Sequence, residues 1–443
     1  MLSPFRFVVA AMGTALLLGG LLTAPASAAG GPRVGAPYVT GSTPHSLTIS
    51  WPATPGARRY KVSYAKSASK ARRTSAPVKV SKKRRTSVRI AGLRRATRYC
   101  VTVRAVTRHG TGPRSAAHCH FTMRRAVRWD RPTVSVATFN VCAAALNCRR
   151  WRGRERAIVR RILAADADVV AVQESTRRSD DLARLLAPHG YARYSDDPGR
   201  DDETLYYRTA KLRMDTRPVT RTSCAQDPYV GGADTSLWEG PRHFDEATGQ
   251  WYVLRDGGWL TEVELCRPRT KDVAWRGSFD SHTGATAAWA SLRLATNNKA
   301  YVFVSAHLTH ANTPAAVRLR RAETRQLIDK TKKVAHGRTI VFMGDFNSYR
   351  GMNDSPRREM ARQGWFDAYD RSATYTRPFL SSLNGWDTRA RSLRTWGGHI
   401  DRIFIRASVG SSAWKIVART KHRRYVATKA SDHNPIRTTL YLP

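Results

Sequence analysis

The sequence predicts an α/β domain preceded by a small all-β sandwich, and three observations carry that expectation. Between residues 30 and 125 there is no Asp or Glu, against about 22 Lys and Arg, so this part differs in composition from the rest. Short alternating runs fill it ("SLTISW", "RYKVSYA", "TSVRIAG", "RYCVTVRAV"), spaced by Gly, Pro and Ser turns, as in a sandwich of about 90 residues. After Thr133, apolar strands alternate with amphipathic helical stretches, a mix that places helices outside packed sheets.

Ahead of both regions, Arg6 is followed by an apolar run from Val8 to Leu22 and by the A-x-A site Ala26, Ser27, Ala28. This is the tripartite pattern of a secretory signal peptide, and the run is shorter than the about 20 apolar residues of a membrane span. Residues 1–28 are therefore expected to be removed near Ala28, leaving a secreted protein with no stable membrane insertion. A monomer is expected.

The all-β region is expected over residues 32–123. Residues 82–85, four consecutive cations with no acid nearby, are expected to touch a polyanion. Trp51 on an early strand, Leu93 and Tyr99 within "LRRATRYCVTVRAV", and then "HGTGPRS" together resemble a fibronectin type III domain, an immunoglobulin-like sandwich. That resemblance implies a binding or spacing module, with Tyr99 as a corner tyrosine bonded to upstream backbone. Residues 124–132 ("RRAVRWDRP") are expected to be a linker.

Six cysteines in an exported chain read as disulfides, since no C-x-x-C or Cys/His zinc spacing is present. Proximity in sequence favours Cys100 with Cys119, Cys142 with Cys148, and Cys224 with Cys266.

From residue 133 to 443 the strands are "TVSVATFNV", "DVVAVQES", "AYVFVSAHLTH", "RTIVFMGDFNS", "HIDRIFIR" and "IRTTLYLP". Helices are expected at "RGRERAIVRRILAADA", "TPAAVRLRRAETRQLIDKTKK" and "SPRREMARQGW". Most of these strands end in, or open on, a polar residue that an apolar core would not select: Asn140, Glu174, His307, Asp345 with Asn347, Asp401, and Asp432 with His433. Six strands sharing this habit point to one site at the sheet ends. Glu174 and Asp432 are hard oxygen donors for Mg²⁺, Mn²⁺ or Ca²⁺, and Asn140 can complete a metal shell without adding charge. His307 and His433 can move protons near neutral pH, and an Asp beside a His fixes its tautomer. Together these types suit metal-assisted hydrolysis of a phosphate ester.

In this order, "FN" at Phe139–Asn140, "QE" at Gln173–Glu174, "GDFN" at Gly344–Asn347, "IDRIF" at Ile400–Phe404 and "SDHNP" at Ser431–Pro435 resemble the endonuclease/exonuclease/phosphatase superfamily. The resemblance implies a four-layer α/β sandwich with a divalent metal held by Glu174, helped by Asn140 and Asp432. It further implies that Asp345 and Asn347 position water and phosphate. His433, oriented by Asp401, and His307 would transfer protons and stabilise charge; which group takes the water's proton is left open. A histidine at 307 matches the deoxyribonuclease-I-like, sphingomyelinase and inositol-polyphosphate phosphatase branches. The acidic partner of that histidine is one of Asp201, Asp202 or Glu203.

With a net charge of +43, the favoured substrate is a nucleic acid, drawn by long-range attraction to an acidic metal pocket. The alternatives are a sphingomyelinase-like or inositol-phosphate and phospholipid phosphatase activity, and a non-catalytic surface-binding protein. The aromatic stretch at residues 223–284 reads either as a substrate-facing loop or as an added hairpin.

Overall fold

The computed structural model describes residues 31–73, 78–80, 85–143, 148–176, 178–194, 202–215, 242–245, 250–255, 258–261, 274–279, 285–349, 353–390, 398–426 and 430–443. Residues 82–84, Asp201, Cys224, Cys266 and the expected signal segment lie outside these. Among the described residues, no helix is long and apolar enough to cross a membrane.

The N-terminal part forms two antiparallel sheets. One joins Tyr38–Thr43, Ser46–Ser50 and Ser87–Ala91; the other is five-stranded and centred on Arg59–Ala65 and Arg98–Thr107. Alternation sends Leu47, Ile49, Val62, Val101 and Val103 inward, where Trp51 packs edge-on against Tyr60 at 5.3 Å. Trp51 lies one residue past its strand, and its N–H continues the ladder to the Thr86 carbonyl. Tyr99 Oη accepts the Arg94 N–H at 3.0 Å, the corner bond expected of it. Cys100 and Cys119 face each other across paired strands and are disulfide-bonded, as are Cys142 and Cys148.

The larger part contains two seven-stranded sheets. In one, Val169–Gln173 lies parallel to Thr133–Asn140, which pairs in turn with the final strand Ile436–Tyr441. In the other, Ala300–His307 lies parallel to Thr339–Asp345, which pairs with Asp401–Arg406. Strand alternation sends Val134, Val136, Phe303, Val341, Met343, Ile403 and Ile405 into the space between the sheets. Ala137, Phe139 and Val172 face the opposite way, onto Ile158, Ile162, Leu182 and Leu186 of the helices Glu155–Ala165 and Ser179–Leu186. Val302, Val304 and Phe342 likewise meet Leu327, Ile328 and Met360 of Pro314–Ala335 and Ser355–Arg362. The layers thus run helix, sheet, sheet, helix, the expected four-layer sandwich. Within 223–284, Arg242–Asp245, Gln250–Arg255 and Gly258–Thr261 form a small antiparallel sheet, and Ala274–Ser278 pairs with Thr286–Leu294, as the added-hairpin reading requires.

The two parts are packed together. His120 Nε2 and the Tyr375 hydroxyl are 2.9 Å apart, Ser42 N–H donates to the Ala373 carbonyl at 3.0 Å, and Tyr38 meets Phe379 with ring centroids 4.8 Å apart. The segment 124–132 is held rather than loose: Val127 is buried, Trp129 sets its ring edge against Tyr441, and the Leu442 N–H donates to the Pro132 carbonyl.

Candidate active site

Parallel pairing within each sheet brings the strand ends level. Asn140 lies opposite Gln173, and His307, Asp345 and Asp401 are cross-strand neighbours in one row. Two buried links tie the sheets together under this row: Gln173 Nε2 donates to Ser305 Oγ at 2.8 Å, and Asn140 Nδ2 donates to Asp345 Oδ2 at 3.2 Å. The same Asn140 amide donates to Glu174 Oε1 at 2.8 Å, so one side chain sets the spacing of two carboxylates.

Gly344 allows the approach. Its φ is +154°, and a Cβ there would fall 1.9 Å from the Ala306 carbonyl oxygen. Gly344→Ala is therefore expected to push the neighbouring Asp345 out of register, with a loss of several kcal/mol in stability by denaturant titration. Glu174 (φ +53°) and Asn347 (φ +46°) both sit in the left-handed region, a strain that accumulates where side-chain aim matters. Asn347 is fixed by its N–H to Asp345 Oδ1 at 2.9 Å and by Nδ2 to the Leu308 carbonyl at 2.9 Å.

The two histidines flank Asp345. His307 Nε2 is 3.7 Å from Glu174 Oε1 and 3.9 Å from Asp345 Oδ2, and His433 Nε2 is 3.7 Å from that same Oδ2. Behind His433, Nδ1 contacts both Asp401 oxygens at 3.2 and 3.0 Å, and Asp401 is fully buried. Burial pulls the His433 imidazolium toward neutrality, but Asp401, Asp345 and Asp432 outweigh it and raise its pKa well above the ordinary histidine value. Behind His307, Nδ1 lies 3.7 Å from buried Glu203 Oε1, which selects Glu203 among the three acids considered. Asp202 instead caps Ser175 and Thr176. His310, three residues after His307, is exposed.

Asp432 is placed differently from its companions. Its backbone carbonyl accepts the Asn384 and Gly385 N–H groups, and Oδ1 accepts from Ser431 Oγ. Among the described residues, no hydrogen bond or ion pair joins it to Glu174 or Asn140; its link to the site is electrostatic, through His433.

The donor set fits a hard divalent cation. Glu174 keeps a quarter of its side chain exposed, while Asp345, Asp401 and His433 form a tight buried group whose charges compensate one another. The nearby Cys142 and Cys148 are joined as a disulfide and offer no thiolate, so the open donors are oxygens.

Two buried arginines brace the site: Arg402 lies within the "IDRIF" motif without a role assigned to it, and Arg154 carried no sequence signal among 76 Lys and Arg. Arg154 donates to the carbonyls of Val141, Cys142, Arg149 and Ala430, tying the Asn140 loop to the segment before Asp432. Arg402, next to Asp401, bonds Asp367, Asp354 and the carbonyls of Ser348 and His399.

A model described as the Endonuclease/Exonuclease/phosphatase family matches residues 137–433, well over half of the chain. The chain belongs to this family. A fibronectin type III domain model matches residues 32–119. Members of the endonuclease/exonuclease/phosphatase family are phosphoric ester hydrolases and generally depend on a divalent metal, and this protein is such a hydrolase. Among solved structures, a family protein from Bacteroides thetaiotaomicron is 16% identical, covering 71% of this chain and 100% of its own, with a TM-score of 0.48. A mannosyl-6-phosphatase from the same organism is 16% identical, covering 69% and 99%, at a TM-score of 0.45. D. rerio TDP2 complexed with single strand DNA product is 15% identical, covering 70% and 98%, at a TM-score of 0.41. No match to the chain was found among curated proteins.

Proposed function

We propose that the protein is a secreted, divalent-metal-dependent phosphodiesterase that cleaves nucleic acid. The observation that carries this reading is an acidic pocket, Glu174, Asp345 and Asp401 with two histidines, set in a chain of net charge +43. Such a charge gathers a phosphate polymer from solution, and the pocket supplies the place where it is cut. Export is supported by the pattern of residues 1–28 and by disulfides, which persist in oxidising compartments.

In this mechanism Glu174 and Asn140 would hold Mg²⁺, Mn²⁺ or Ca²⁺, with Asp432 adding negative charge nearby. The bound cation supplies Lewis-acid stabilisation of the phosphoryl oxygens. Asp345, whose Oδ2 lies between the two imidazoles, orients the attacking water and receives its proton as the water oxygen bonds to phosphorus and the P–O bond to the leaving oxygen breaks. His433 acts as an imidazolium held by Asp401, donating from Nε2 toward the negative charge that builds on the phosphoryl and leaving oxygens. His307, backed by Glu203, hydrogen-bonds the phosphate oxygens from the opposite side, and the Asn347 amide fixes the loop that faces the phosphate.

A substrate panel tests the proposal: supercoiled plasmid, single-stranded RNA, sphingomyelin and inositol phosphates, each with Mg²⁺ and with chelator. Plasmid or RNA is expected to be degraded with metal and spared in chelator. Intact nucleic acids beside released phosphocholine or inorganic phosphate would overturn the nucleic-acid assignment in favour of the lipid or phosphatase alternatives.

A further inference from the structure

A second cationic feature lies far from this pocket. A cleft of about 330 Å³ is lined by Met123, Ala126, Ala407 to Gly410 and five arginines: Arg124, Arg125, Arg128, Arg131 and Arg371. Among the described residues, no acidic one lines it. The cleft opens where segment 124–132 crosses the turn after strand Asp401–Arg406. That strand begins at the active site, and at about 3.3 Å per residue its far end lies about 17 Å from Asp401. The cleft therefore sits at the opposite end of the sheet from the catalytic row.

Arg128, Arg131 and Arg371 are held in place, and the five guanidinium charges outnumber the two nearby carboxylates, Asp130 and Asp370. Arg128 makes a two-pronged contact with Asp130 at 3.1 and 2.8 Å, and Arg131 donates to the Ser408 carbonyl. Arg124 and Arg125 are exposed and have no acidic partner among the described residues. The Arg371 guanidinium lies 4.2 Å from the Phe366 ring centroid. Burial, then the nearby charge of Arg124, pushes the Arg371 guanidinium down to about 10, with Arg125 adding to this and Asp370 opposing it. A cation partly buried and further depressed by like-charged neighbours is relieved by an incoming anion. Ordering of the backbone by Val127, Trp129 and Pro132 reduces the entropy lost on binding.

We propose that this cleft is an anion-binding site for clustered phosphates, remote from the catalytic pocket, in which Arg124, Arg125 and Arg371 grip adjacent phosphate groups. Guanidinium forks match phosphate oxygens in pairs, and several forks facing one space favour a ligand with successive charges over a single monoanion. The phosphates belong either to a compact polyphosphate or to the backbone of a nucleic acid strand.

The test uses the full chain in chelator, so that binding is read without hydrolysis and independently of which ester the enzyme cuts. Tripolyphosphate binding is measured by calorimetry, and binding of a fluorescent single-stranded oligonucleotide is measured by anisotropy across a salt series. The double variant Arg124→Ser/Arg125→Ser is expected to weaken tripolyphosphate at least about tenfold and to flatten the oligonucleotide's log–log salt slope by about 1.4, at about 0.7 per contact on a single strand. Arg124→Lys/Arg125→Lys keeps the charge and loses the forks, and is expected to fall between. Turnover of a small diester at the catalytic site should be unchanged in both. If tripolyphosphate weakens while the oligonucleotide slope stays put, the site is assigned to compact polyphosphate; unchanged tripolyphosphate binding in the serine variant overturns the proposal.

Discussion

His433→Ala is expected to lower kcat for phosphoester hydrolysis by roughly 10²–10⁴-fold with little change in KM, the range for a lost proton-transfer or charge-stabilising group. The magnitude follows from position. Nε2 is aimed at the Asp345 carboxylate and Nδ1 is fixed by two contacts to buried Asp401, so no neighbouring side chain can replace it. Its acidic surroundings raise the pKa well above the ordinary value despite burial, so the imidazolium persists above about pH 6.5. The rate is then expected to fall as pH rises through that raised value. Asp401→Asn removes the main source of the elevation and should move the alkaline limb to lower pH. A rate that climbs through the same window would make the neutral imidazole the working form and sink the assignment.

The same coupling has a stability counterpart in metal-free protein. A group whose folded pKa is raised stabilises the fold fully below its unfolded value, about pH 6.5, and loses that contribution as pH rises through the folded value. Denaturant titrations in chelator should therefore show wild type and His433→Ala converging as pH rises.

The site row was legible in the sequence because each strand has an apolar period of two, and a polar residue ending such a run stands out. Asn140, His307, Asp345 and Asp401 meet through that rule and the register of the parallel pairs and of the antiparallel pair that sets Asp345 opposite Asp401, and His433 joins them from the turn before the last strand. Glu203 was harder, since three adjacent acids compete and strand register alone decides which one faces His307. Thr204 pairs with Val172, and a slip of one residue would turn the other face inward. Asp432 reads in sequence as a ligand, yet its fold role is largely carried by its backbone carbonyl, which no side-chain pattern reveals. The docking of 124–132 was equally hidden. It depends on Gly410, whose added Cβ would sit 3.2 Å from Val127 and from Tyr441, residues distant in sequence. Arg154 gave no signal, and Arg402 stood in a quoted motif without a legible role, because their partners are mainly carbonyls and acids supplied by other elements.

Arg402 carries the second large expectation. Its guanidinium is 1% exposed and donates to Asp367 Oδ2 at 2.7 Å, Asp354 Oδ2 at 3.2 Å and the Ser348 carbonyl at 2.8 Å. Arg402→Ala removes the buried cation shared by Asp367 and Asp354, of which Asp354 keeps its ion pair with Arg357 at 3.1 Å, and removing one partner from such a buried group costs about 3–5 kcal/mol. The denaturation midpoint is expected to fall accordingly. Arg402→Lys restores the charge but can reach only part of the fork's partners, so it should recover some stability and not all. Activity should drop further than stability alone explains, because Ser348 follows Asn347 and His399 precedes Asp401 by two residues, so both loops that aim the site lose a shared anchor. Arg402→Ala protein with an unmoved midpoint and full turnover would show that the acids are neutralised by other groups and that the loops hold themselves.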